Sequence, residues 1–146
     1  MPSFDQHLSQ ANHNFFFLQS FFLKQSNDWA ITVTFYTSVH LVEGLINKES
    51  NRLRNEEDNF DYEIDCSTHD KREYQVKSLF NEIHFAFSEL RKSASKGRYK
   101  IYNFRNNEVT ADFNNHFIPI ADFFNRYCTR YKIPGQFNFS DLTTQQ

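Results

Sequence analysis

Glycine, proline and cysteine are all scarce in this chain, with three, three and two residues among 146. Average usage is about 7% glycine and 5% proline, and turn-rich β sandwiches draw on more of both, so the shortage excludes that class and leaves helices. The two cysteines, Cys66 and Cys128, stand in no CxxC or Cys/His spacing. Neither a disulfide framework nor a structural zinc site is therefore expected, and both read as reduced thiols.

Lysine and arginine are missing from Met1 to Gln10, and the apolar run Phe15 to Leu18 is stopped by Gln19. A secretion leader and a membrane span are not expected on this pattern, so the expected location is the cytoplasm, with no membrane partner. A strong charge of either sign is also missing. The net charge of -2 and pI near 6.3 exclude the broad positive surface of a general nucleic-acid binder while leaving room for a local basic patch. No Gly-rich phosphate loop, HExxH, GxSxG or Rossmann fingerprint occurs, which removes the common hydrolase and nucleotide-cofactor motifs; no cofactor is expected.

What the chain has instead is aromatic mass: 18 Phe, 7 Tyr and one Trp. A core of large rings is expected, in one all-α domain of about five helices. The helical bundle is expected over residues 1–132, with residues 133–146 as a C-terminal tail, extended and docking Phe137 and Phe139 at most.

Helix one is expected from Ser3 to Gln25, since Ser3 and Gln6 make a capping box and Phe4, Leu8, Ala11, Phe15, Leu18 and Phe22 recur at four-three spacing. Ser26, Asn27 and Asp28 then cap helix two, Trp29 to Lys48, which is apolar on most sides and belongs in the bundle centre. Glu49 to Cys66 loses the apolar period and reads as a solvated acidic loop. Ser67 and Asp70 signal another start, and Val76, Phe80, Ile83, Phe87, Leu90 and Ala94 continue as one long helix or two nearly collinear ones, up to a left-handed cap at Gly97. After a linker from Arg98 to Asn107, Thr110 caps a last helix, Ala111 to Lys132, which Pro119 should kink or restart.

Helix two carries one polar line, Tyr36, His40, Glu43 and Asn47, at spacings of four, three and four. A His-carboxylate pair there can serve as a base or hold a nucleotide base; the same residues also fit a pairing of core polar groups or a dimer face. No metal is expected, because His40 and Glu43 supply two ligands and no second His stands at helical spacing. His69 and Arg72 share the first turns of their helix, where free N–H groups suit a phosphate, although surface ion pairs holding the acidic loop explain them as well. Arg98, Tyr99, Lys100, Tyr102, Phe104 and Arg105 interleave cations and rings, as in a base-stacking surface or as in a tether that buries its rings.

The segments DWAITVTFYTSVHLVEGL, THDKR and LRKSASKGRY, together with the two leading helices, resemble the HEPN superfamily over roughly Asp5 to Tyr131. The resemblance implies an antiparallel up-and-down helical bundle of four to five helices, frequent homodimerisation and a role near RNA or nucleotide chemistry. Many such proteins are ribonuclease toxins paired with a nucleotidyltransferase-type antitoxin, so an RNA or nucleotide ligand, a homodimer and a nucleotidyltransferase-type protein partner are the expected associations. Ser93, Arg98 and Tyr99 match a recurrent segment of the superfamily. Its ribonuclease signature, an Arg followed by a His after four to six residues, is absent: the nearest upstream arginines are Arg105 for His116, Arg72 for His84 and Arg54 for His69.

The expectation is thus a HEPN-like domain binding a phosphate-bearing ligand or a protein partner, through His69, Arg72, Arg98 and Tyr99 beside Tyr36, His40, Glu43 and Asn47. The alternatives are a metal-independent ribonuclease toxin with a non-standard His/Arg site, for which His69 and His40 are the catalytic candidates, and a purely structural or antitoxin-type interaction module.

Overall fold

The computed structural model describes residues 2–24, 26–56, 64–99 and 102–144, and among these it is a helical bundle with no strand. Six α-helices follow in order: α1 Phe4–Phe21, α2 Asn27–Glu56, α3 His69–Leu79, α4 Asn81–Tyr99, α5 Asn106–Asp112 and α6 Ile118–Arg130. The last two are joined by a π-turn, Phe113–Phe117, so they run on as one helical path.

The α1 start is the one the sequence spells. Ser3 Oγ accepts from Gln6 N and Gln6 Oε1 accepts from Ser3 N, which satisfies two end donors reciprocally. The whole four-three stripe from Phe4 to Phe22 is buried. The helix stops at Phe21, earlier than expected, where Leu23 turns left-handed at φ 58°.

α2 packs against α1, α3, α4, α5 and α6 and is the axis of the bundle. It is long and apolar enough to cross a bilayer by composition, but 67% of its most apolar stretch is buried inside the bundle, as in a core helix. Its buried hydroxyls are satisfied by its own carbonyls: Thr34 bonds Ala30 O, Thr37 bonds Val33 O and Ser38 bonds Phe35 O. Trp29 departs from the expected pattern and is 64% exposed.

The expected acidic loop from Glu49 is corrected: α2 continues to Glu56. Polar pairs hold these turns where the apolar period fails. Arg52 bridges Glu49 and Glu56 on its own helix, and buried Glu49 accepts from Tyr127 Oη of α6 at 2.5 Å. The remainder of that stretch, 57–63, lies outside the described residues.

α3 is capped by Thr68, one residue after the expected Ser67, with Thr68 Oγ1 accepting from Lys71 N. Phe80 breaks the α3–α4 path, and the apolar series from Val76 to Ala94 is buried throughout. Gly97 is not a left-handed cap. It lies inside α4, where an added Cβ would come within 3.0 Å of Phe104 Cε2, so its smallness serves close packing.

Thr110 lies inside α5 rather than capping it; the N-cap is Arg105, whose backbone N bonds Glu108 Oε1. Pro119 stands at the expected restart, where α6 begins at Ile118 after the π-turn. Its ring occupies the first turn of α6, and the missing N–H is absorbed upstream by the wider π-turn, in which Ile118 N–H donates to Phe113 O. That turn aims both Phe113 and Phe117 into the core beside Phe15, with ring centroids 6.5 and 6.1 Å from the Phe15 ring.

The tail is part of this core. Phe137 is 1% exposed, meets the Phe15 ring edge-on at 5.5 Å, and has its N–H and C=O both held by the Asn125 amide at 3.0 Å. Gly135 gives the tail its approach: at φ 116° it takes a conformation open to glycine, with Leu8 Cδ2 only 2.8 Å from where a Cβ would stand.

Candidate functional site: a polar cluster between α2, α3 and α4

The polar line of α2 faces the start of α3. Arg72, in the first turns of α3, donates from Nε to Glu43 Oε1 at 2.8 Å, from one Nη to His69 Nδ1 at 2.8 Å and from the other to the Cys66 carbonyl at 3.3 Å. The side chains of Arg72 and Glu43 are 12% and 15% exposed. The pair is thus largely withdrawn from water and is not a surface ion pair holding the acidic stretch. Lys71 does that instead, reaching Asp65 at 2.8 Å.

Arg72 carries donors only, so His69 Nδ1 must be the acceptor and a neutral His69 keeps its proton on Nε2. Burial first, then the guanidinium groups of Arg72, Arg91 and Arg98, push the His69 pKa below its ordinary value, so at neutral pH the ring is uncharged. Its neighbours include the ring of Phe35 at 5.6 Å and that of Tyr36 at 6.4 Å.

Arg98, in the last turn of α4, donates from Nη1 to Tyr36 Oη and lies 5.2 Å from the centre of the Tyr36 ring. Tyr36 therefore stands between His69 and Arg98, and residues 62 positions apart meet at one place. Three arginines, Arg72, Arg91 and Arg98, act on His69 together. Two of them are ion-paired, Arg72 with Glu43 and Arg91 with Asp70 and Glu73.

On the other side of Glu43 lies a residue the sequence analysis passed over. His7 of α1 is buried, its Nδ1 3.2 Å from His40 Nδ1 and its Nε2 3.5 Å from Glu43 Oε2. Burial lowers the pKa of both rings; His7 further lowers that of His40, and Arg72 lowers both, against the opposing pull of Glu43. A signal for His7 existed: it falls three after Phe4 and four before Ala11, on the inward stripe of α1.

Of the remaining expected site residues, Asn47 lies further along α2, its carbonyl accepting from Ser50 Oγ at 3.0 Å. Among the described residues no contact joins its side chain to the cluster. The side chain of Tyr99, with Lys100, lies outside the described residues. The rings of the following segment are used in the fold: Phe104 is buried, and Tyr102 lies under Lys96 Nζ at 3.8 Å with its hydroxyl on Glu108. Tyr102 and Phe104 thus serve a tether and not an open stacking surface.

The two thiols lie outside any reactive setting. Burial pushes Cys66 and Cys128 up to about 11, so both are protonated at neutral pH.

The arrangement therefore offers an N–H donor on His69 and the guanidinium of Arg98 beside a tyrosine, at the start of α3. Comparison of the chain with protein-family models, with curated proteins and with solved structures finds no match.

Proposed function

We propose that this chain is a HEPN-like domain that binds a phosphate-bearing ligand, RNA or a nucleotide, at the start of α3, between Arg98 and His69. The observation that carries the reading is the Arg72–His69 hydrogen bond of 2.8 Å. It fixes His69 as a donor through Nε2, and a neutral donor beside guanidinium groups is suited to an anionic oxygen. The first turn of α3 adds the positive end of a helix of eleven residues. Arg72 itself is the organiser of the site: three of its donors are committed to Glu43, His69 and Cys66.

A second reading, a ribonuclease with a non-standard His/Arg site, is favoured by the same pair, which joins a His and an Arg three positions apart. The tautomer weighs against it. A base must present a lone pair to the RNA 2′-hydroxyl, and His69 has turned its lone pair to Arg72.

A thermal-shift screen of nucleotides and short RNAs tests the proposal. Ligand at about a hundred times its Kd stabilises the folded state by about 2.7 kcal/mol, roughly 5–10 °C at this chain length. A flat response across the screen would overturn the phosphate reading in favour of an interaction module. Cleavage of RNA that is lost on His69→Ala would transfer the case to the ribonuclease.

A further inference from the structure

We infer that His7, His40 and Glu43 form a binding site for one divalent transition-metal ion of the zinc type, between α1 and α2. One ligand atom from each of the three lies within 4.8 Å of the other two. Zinc bonds of about 2.0–2.2 Å set tetrahedral ligand atoms roughly 3.4 Å apart, so small side-chain adjustments close the site. One approach is already at that spacing, 3.5 Å from His7 Nε2 to Glu43 Oε2, while the other nitrogen of the ring, Nδ1, holds His40 Nδ1 close by at 3.2 Å.

Three further features fit a metal. His7 is 2% exposed, and its Nε2 is buried without a hydrogen-bond partner although it faces a carboxylate oxygen. A buried polar atom left so is costly, and coordination removes that cost. The donor set, two imidazoles and one carboxylate, suits zinc, cobalt(II) or nickel(II) above magnesium or calcium, and three protein ligands leave a position open. Arg72 takes only Glu43 Oε1, which fixes the carboxylate and leaves Oε2 turned to His7, as outer-shell partners of metal ligands do.

Arg72 is also the charge that opposes a dication. One carboxylate beside one guanidinium does not offset it, so the open position goes to an anionic oxygen. The site uses none of His69, Tyr36 or Arg98 and stands whether or not a phosphate ligand binds there.

The test is calorimetric titration of the chelator-treated full chain with Zn2+, Co2+ and Mg2+ in phosphate-free buffer. One equivalent of Zn2+ and of Co2+ is expected to bind, Mg2+ is not, and the binding should be lost in His7→Gln and in Glu43→Gln and kept in His13→Gln, which changes an exposed imidazole of the same helix. Circular dichroism checks that each variant folds. X-ray absorption of the wild-type zinc complex needs no variant: two imidazole ligands are expected. No stoichiometric binding, binding retained in both ligand variants, or a spectrum with fewer than two imidazoles would overturn the site.

Discussion

Arg72 and Glu43, 29 residues apart, join α3 to α2 through one hydrogen bond of 2.8 Å whose partners are both more than four-fifths buried. The bond fixes the guanidinium that in turn fixes the His69 ring. Glu43→Gln keeps the shape and removes the charge, so it leaves Arg72 without its counterion. A loss of about 1.5–3 kcal/mol in denaturant unfolding is expected, the range for a hydrogen bond to a charged group. No measurable loss would mean that the pair does not organise the start of α3.

Glu49 ties the far end of α2 to α6. Burial raises its carboxyl pKa, but the hydrogen bonds from Arg52 and Tyr127 outweigh this and hold it below its ordinary value of 4.5. The folded state therefore favours the ionised form. Its contribution to stability is present above pH 4.5 and is lost as pH falls through the lower, folded-state value. Tyr127→Phe removes one of those donors, so the stability gap between wild type and variant should narrow on acidification below pH 4.5, read by urea unfolding across pH. A gap constant with pH would place the cost in packing alone.

Phe137 anchors the tail among Phe15, Phe117 and Phe139. Phe137→Ala should cost about 3–5 kcal/mol, the price of truncating a fully buried ring. Wild-type stability in this variant would mean that the tail only covers a core complete without it.

The fold was legible where apolar spacing carries it. The stripes of α1 and of the α3–α4 path are buried as their spacing indicates. It was hidden where polar contacts carry the structure, as in the turns of α2 from Glu49 to Glu56, because ion pairs within the helix add no apolar spacing and the Tyr127–Glu49 hydrogen bond across helices leaves no periodic trace. Gly97 misled for a related reason: glycine marks both a left-handed cap and a close approach, and only the position of Phe104 decides between them. The site was half legible. Tyr36, His40 and Glu43 follow from helical spacing and His69 with Arg72 from a helix start, whereas His7 reads as a core position until the fold brings His40 beside it.

Equilibrium binding of the best nucleotide or short RNA from a thermal-shift screen, compared between wild type, Arg98→Gln and Arg126→Gln, tests the central claim most directly. Arg126 is an exposed arginine of α6 paired with Glu82, away from the cluster. Loss of a charge-assisted hydrogen bond to phosphate is worth about 1.5–3 kcal/mol, so Arg98→Gln should weaken binding by roughly ten- to a hundredfold while Arg126→Gln leaves it within about twofold. Equal affinity in wild type and Arg98→Gln, or an equal loss in both variants, would contradict a phosphate site between Arg98 and His69.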